Sequence, residues 1–188
     1  IHEMNLTFKL IRSNYTLNAG FMIQPQRSKY LQDYQGVHVD TVRSVTNFAP
    51  TLDFRYRFSR QHQLRIRYRG TTSQPSMSQL LDITDDSNPL DISKGNPGLK
   101  PSFTNNLNLF YNNFIQNHSR FINADLSMST TSNSISNMVT YDEVTGGRTT
   151  RPENINGNWN INGGFLFSTS IDSTGTWYTN TDTRASFA

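Results

Sequence analysis

From Phe103 to Phe114 the apolar residues Leu107, Leu109 and Tyr111 alternate with Asn106, Asn108, Phe110 and Asn112. A period of two puts one set of side chains on each side of an extended strand, so one face meets an apolar medium and the other a polar one. The residues ahead of this strand are turn chemistry: Asn88-Pro89, Gly95-Asn96-Pro97-Gly98 and Lys100-Pro101. A proline-rich loop therefore feeds directly into a long, half-apolar strand, and the same period recurs along the chain.

In the first strand Met4, Leu6, Phe8 and Leu10 alternate with Asn5, Thr7 and Lys9. After a turn at Arg12-Ser13-Asn14, Tyr15, Leu17, Ala19, Phe21 and Ile23 give a second. Pro25 to about Thr46 is long, polar and charged, which reads as a loop or a frayed strand extension. A third strand runs from Asn47 to Phe58, and a tight turn at Ser59–His62 leads to a fourth carrying Leu64, Ile66 and Tyr68. The loop Thr72–Ser102 precedes the fifth strand, and Ile115–Ser119 turns the chain back into a sixth with Ile122, Ala124, Leu126 and Met128. Thr130–Asn154 is another long excursion, expected to hold an outer hairpin turning at Thr145-Gly146-Gly147. Trp159, Ile161, Phe165 and Phe167 mark the seventh strand. Asp172–Gly175 is a short turn, and Trp177–Ala188 begins the eighth.

Short turns near residues 12, 60, 117 and 174 alternate with long connections centred near 35, 87 and 142. The two kinds of connection therefore lie at opposite ends of one antiparallel meander. That asymmetry suits an outer-membrane barrel, with short periplasmic turns and long extracellular loops. The alternative is a soluble surface β-domain that binds glycan or protein, a sandwich or jelly roll in which the apolar stripe packs on a second sheet. Both demand period two.

Composition narrows the field. Hydrophobic residues make up 34% of the 188 and mean hydropathy is −0.61, too polar for a helical membrane protein. No run nears the roughly 18 apolar residues that a membrane helix needs. Barrel strands escape this test because their polar and apolar residues average out. Cysteine is absent, so disulfides and thiolate metal sites are unavailable. The net charge of +3 is mild. Ile1-His2-Glu3-Met4-Asn5 has neither the basic start nor the apolar run of a signal peptide and reads as mid-strand, so residues 1–188 are expected to be a fragment of a β-barrel domain.

The segment Asn88–Asn113 and the upstream Gln74-Pro75-Ser76-Met77-Ser78-Gln79-Leu80 resemble the barrel of TonB-dependent outer-membrane receptors, especially the outer membrane protein beta-barrel family. The resemblance rests on "PS…QL" followed by "NP…GNP.LKP" at the entry to a barrel strand, and covers about Gln74–Asn113. It implies a chain of the Gram-negative outer membrane that imports a scarce nutrient (an iron chelate, vitamin, glycan or peptide). The implied partners are outer-membrane lipid, the receptor's own plug domain, TonB, and a small substrate bound at the long loops. The chain departs from the pattern in lacking the plug and the TonB-contacting segment, and in having far fewer strands than the about 22 of such transporters.

On the barrel reading Tyr15, Phe58, Phe103, Phe114, Phe121, Trp159 and Trp177 are expected in the interfacial aromatic girdles. Arg55, Arg57, Arg65, Arg67 and Arg69 must face away from the apolar side. The resemblance implies that they face the lumen and pair with the plug; a solvated basic face is the plainer reading. Asp82, Asp85, Asp86 and Asp91 lack the ligand spacing of a calcium loop. His2, His38, His62 and His118 are scattered, and His38 with Asp40 has no partner nucleophile. No catalytic residue, metal or cofactor is expected. Tyr56 and Tyr68 point opposite to the arginines, which argues against a nucleic-acid platform.

Overall fold

A computed structural model describes residues 3–34, 37–81, 84–116, 119–172 and 174–188. Alternation becomes an antiparallel meander of eight strands: β1 (Met4–Ile11), β2 (Tyr15–Tyr34), β3 (Val37–Ser59), β4 (His62–Ser73), β7 (Ser102–Ile115), β8 (Arg120–Ser132), β11 (Asn158–Ser170) and β12 (Tyr178–Phe187). Each strand pairs with its neighbours in that order. The remaining elements are a one-turn helix α1 (Met77–Leu80), β5 (Thr84–Asp85), β6 (Asp91–Lys94), β9 (Ser134–Tyr141) and β10 (Arg148–Ile155).

The register aligns the apolar residues of all eight strands. One row across the sheet reads Phe8, Ala19, Leu52, Tyr68, Leu107, Met128, Ile161, Phe187. A one-residue slip anywhere would move a strand's apolar set to the other face, so this row fixes the pairing. The opposite face carries Lys9, Asn18, Asp53, Arg67, Asn108, Ser127, Asn162 and Ser186 in one row.

Among the described residues no second layer covers the apolar face. Phe8 is 59% exposed, Phe165 45% and Leu126 39%. A soluble sandwich buries such a row in a core about 10 Å thick. Here the row is left for an outside apolar medium, and the buried apolar side chains Leu81 and Leu99, with Asn96, lie in a long loop instead.

Aromatic rings cluster on the apolar face at the short-turn end. Phe58 stacks on His62 at 4.1 Å and meets Tyr56 edge-on at 4.6 Å, while His62 meets Tyr111 edge-on at 5.3 Å. His62 thus begins β4 rather than sitting in the turn. Two of the expected girdle residues do not belong there. Phe114 and Phe121 face each other across β7 and β8 in the alternate parity, on the polar side, because the apolar set of those strands is Leu107, Leu109, Tyr111 and Ala124, Leu126, Met128.

Of the two readings of Pro25–Thr46, the strand extension holds: residues 25–34 and 37–46 are strand. β2 and β3 pair without a break from Tyr15↔Tyr56 to Tyr34↔Val37, and Lys29 reaches Asp40 across the ribbon at 3.4 Å. The backbone ladder continues where hydrophobic alternation has stopped, which is how a barrel hairpin projects into water.

Candidate functional site

The two remaining long connections fold into one module. Leaving β8, the chain bends at Asn133 (φ 51°), and it returns through Gly157 (φ 100°). The first bend is held by Asn133 N–H donating to Asn156 Oδ1 at 2.7 Å. Beyond the bend β9 and β10 form the expected outer hairpin, turning at residues 142–147. Asp142 organises that turn by accepting from the N–H groups of Val144 (2.9 Å) and Thr145 (3.3 Å), which hold its carboxyl below its ordinary value.

β10 then pairs in parallel with β6, a strand of the other long connection, through Arg148↔Asp91, Thr149↔Ile92 and Thr150↔Ser93. The result is a four-stranded sheet ordered β5-β6-β10-β9. Arg148 and Asp91 form a two-pronged ion pair, Nε to Oδ1 at 2.9 Å and Nη2 to Oδ2 at 2.7 Å. The guanidinium holds the Asp91 carboxyl below its ordinary value.

The turn motif that precedes β7 is the clamp of this module. Asn96 is 5% exposed and Leu99 4%. The Asn96 backbone N–H donates to Gln79 O at 2.7 Å, and its Nδ2 donates to Pro152 O at 2.9 Å. Its Oδ1 accepts from Gly98 N and from Arg151 Nη2, both at 3.0 Å. Asn96 therefore ties the end of β6 to α1 through its backbone and to β10 through its side chain. Gly95 is obligatory beside it, since a Cβ there would fall 1.7 Å from Leu81 O. Asn154 adds a second bridge, donating to Lys100 O (3.0 Å) and Asn133 O (2.8 Å) and accepting from Lys100 N (2.7 Å). At α1, Ser76 and Gln79 cap each other reciprocally.

Between α1 and one face of the small sheet lies an open cleft of about 390 Å³. Its floor follows the register: Asp85 opposite Ser93, Ser93 opposite Thr150, and Asn137 opposite Pro152. Ser78, Gln79 and Leu81 form the wall. Hydroxyls and the amides of Gln79 and Asn137 line it beside the charged Asp85 and Lys94, a polar surface with no aromatic ring.

Of the sequence-selected acids, Asp85 lines this cleft and Asp91 is committed to Arg148. Asp86 is exposed and Asp82 lies outside the described residues. Among the described residues no group of three His, Asp or Glu side chains converges as a metal site. His2 and His118 are outside that set.

The five arginines of β3 and β4 share the polar face, as the register requires. Arg65 donates to Asp53 through Nε (3.1 Å) and Nη2 (2.5 Å), and Arg67 Nε lies 3.6 Å from the same carboxylate. Arg55, Arg57 and Arg69 have no carboxylate partner among the described residues. Sequence reasoning missed Asp53 as their counter-charge, although its alternation with Arg55 and Arg57 puts all three on one face.

Among curated proteins, no sequence matches this chain. A family model does, over residues 4–187, and it describes the outer membrane protein beta-barrel family. An eight-stranded antiparallel meander with one bare apolar face, short turns at one end and a folded loop module at the other is what that match describes in physical terms. The chain belongs to the outer membrane protein beta-barrel family, whose place is the Gram-negative outer membrane.

Proposed function

We propose that this chain forms an arc of the barrel wall of a TonB-dependent receptor, and that it serves active uptake of a scarce nutrient rather than catalysis. The observation that carries this reading is the fusion of two long loops into one hydrogen-bonded module with a polar cleft. A passive pore needs an open mouth; a folded module that carries a polar cleft is suited to holding a solute before transfer. The segment Gly95–Pro101, which carries the resemblance to such receptors, is the segment that clamps this module.

The other features fit the same reading. β1 and β12 are edges of the sheet, with Met4 and Phe187 each 62% exposed, and open edges pair with further strands. The polar face would front the plug, where Arg69 awaits an acidic or hydrogen-bonding partner. The small substrate is an iron chelate, vitamin, glycan or peptide; nucleic acid is not among the expected partners.

The test is nutritional. The gene is deleted in its bacterium and growth is followed with iron, cobalamin, glycans and peptides limiting in turn. The expected result is a defect on one nutrient that removal of TonB reproduces. A defect that appears equally in the presence and absence of TonB means a passive pore and overturns the reading.

A further inference from the structure

The polar face holds a second concavity, at the short-turn end and far along the strands from the loop module. It is a cleft of about 230 Å³ beneath the β1–β2 turn, lined by Arg12, Ser13, Thr16, Arg55 and Arg57 with Ile11 at its side. The chain builds it deliberately. Arg57 N donates to Asn14 O at 2.7 Å and Arg12 N donates to Tyr15 O at 2.8 Å, so the turn is fixed over β3. Ile11, Thr16 and Arg55 then fall in one cross-strand row on the polar face.

Charge makes the cleft unusual. No described carboxylate pairs with Arg12, Arg55 or Arg57. The nearest acid in the pattern is Asp53, two residues before Arg55, and it is taken by Arg65. Arg55 also stands directly opposite Arg65 in the register, an arrangement of like charges that disfavours the sheet. Three arginines therefore line one space bordered by two hydroxyls, and each guanidinium is able to donate two parallel hydrogen bonds.

We propose that Arg12, Arg55 and Arg57, with the hydroxyls of Ser13 and Thr16, form a binding site for a phosphate group. A dianion with several acceptor oxygens answers three forked cations better than a single carboxylate does. The volume admits the group together with bridging waters, each of which takes about 30 Å³. This site does not depend on the uptake reading; it requires only that the short-turn end of the polar face is open to water.

The experiment titrates inorganic phosphate into the full chain folded in detergent micelles, read by phosphorus NMR line broadening, with circular dichroism confirming the β-sheet. The expected result is saturable binding that Arg12→Gln and Arg55→Gln each weaken about tenfold, the scale of one charge-assisted hydrogen bond. The control variant R69Q/R184Q removes two charges from the same sheet outside the cleft and should keep wild-type affinity. Arg55→Gln relieves a like-charge pair, so its loss of binding is not a loss of folding. Acetate should bind at least about tenfold more weakly than phosphate. Absence of saturable binding by the folded wild type overturns the proposal. So does an equal loss in the control, or equal binding of acetate, since either means diffuse surface charge.

Discussion

Asp53 takes both forks of the Arg65 guanidinium, although the residue directly opposite it in the ladder is Arg67. The diagonal choice has a reason. Arg65 faces Arg55 in the register, and leaning toward Asp53 draws it away from that like charge. Arg67 remains within 3.6 Å of the same carboxylate, so one acid serves two arginines on the polar face.

Asp53→Asn leaves those arginines facing one another without a counter-charge. The expected cost is about 1–2 kcal/mol, a charged hydrogen bond reduced for partial exposure. The double variant Asp53→Asn/Arg65→Gln should recover part of it. Urea unfolding of the chain in detergent or lipid measures both, and an unchanged midpoint for Asp53→Asn would show that the pair contributes nothing.

The bare apolar face is tested at Leu126, mid-strand in β8 and paired with Leu109. An arginine in lipid near the bilayer centre costs about 2–4 kcal/mol. Leu126→Arg should therefore destabilise the inserted sheet by that amount, whereas Ser127→Arg, one residue on and facing Asn108, should cost much less. Equal costs at the two positions would mean that the apolar face does not meet lipid.

The strands themselves were legible, because residues such as Leu17, Phe54, Ile66, Leu109 and Leu126 sit two apart from their apolar neighbours and the pattern needs no knowledge of pairing. Three features were not legible, each for its own reason. The outer part of the β2–β3 ribbon mixes polar and apolar residues on each face, Leu31 opposite Asp40 and Lys29 opposite Val42, so alternation leaves loop and strand extension both open; the backbone ladder and pairs such as Lys29–Asp40 mark it as strand. Phe114 and Phe121 were placed by their type at strand ends, while parity puts them on the other face. The parallel pairing of β6 with β10 joins Asp91 to Arg148, residues separated by 57 positions, and no local spacing signals such a contact. The motif Gly95–Leu99 was visible as turn chemistry, but its task, clamping two loops through Asn96, depends on Pro152 and Arg151 arriving from that distant strand.

Asn96→Ala removes the acceptor for Gly98 and Arg151 and the donor to Pro152. Each buried group left unsatisfied costs about 1–3 kcal/mol, and the loss falls on the module rather than on the membrane sheet. Limited proteolysis should cut the 74–102 and 133–157 connections faster, with the β circular dichroism unchanged. Resistance equal to wild type would show that the module is held elsewhere.

The Asp91–Arg148 pair makes the junction of the two long loops sensitive to acid. The carboxyl lies below its ordinary value of 3.8 because Arg148 donates to it. A carboxylate lowered by folding stabilises the structure above its ordinary value, and that contribution disappears as pH falls through the folded-state value. The junction is therefore complete at neutral pH and loosens only below about 3.8, in step with protonation of Asp91. Both partners are exposed, so the effect is local and salt should weaken it. Carbon NMR of the Asp91 carboxyl between pH 6 and 2 should give a midpoint below 3.8 in the wild type. In Arg148→Gln the midpoint should rise toward the ordinary value, and the amide signals of Thr149 and Thr150 should lose their acid-induced shift. Identical midpoints in the two proteins would mean that Arg148 does not hold Asp91 in solution, and the parallel β6–β10 pairing would then rest on its backbone bonds alone.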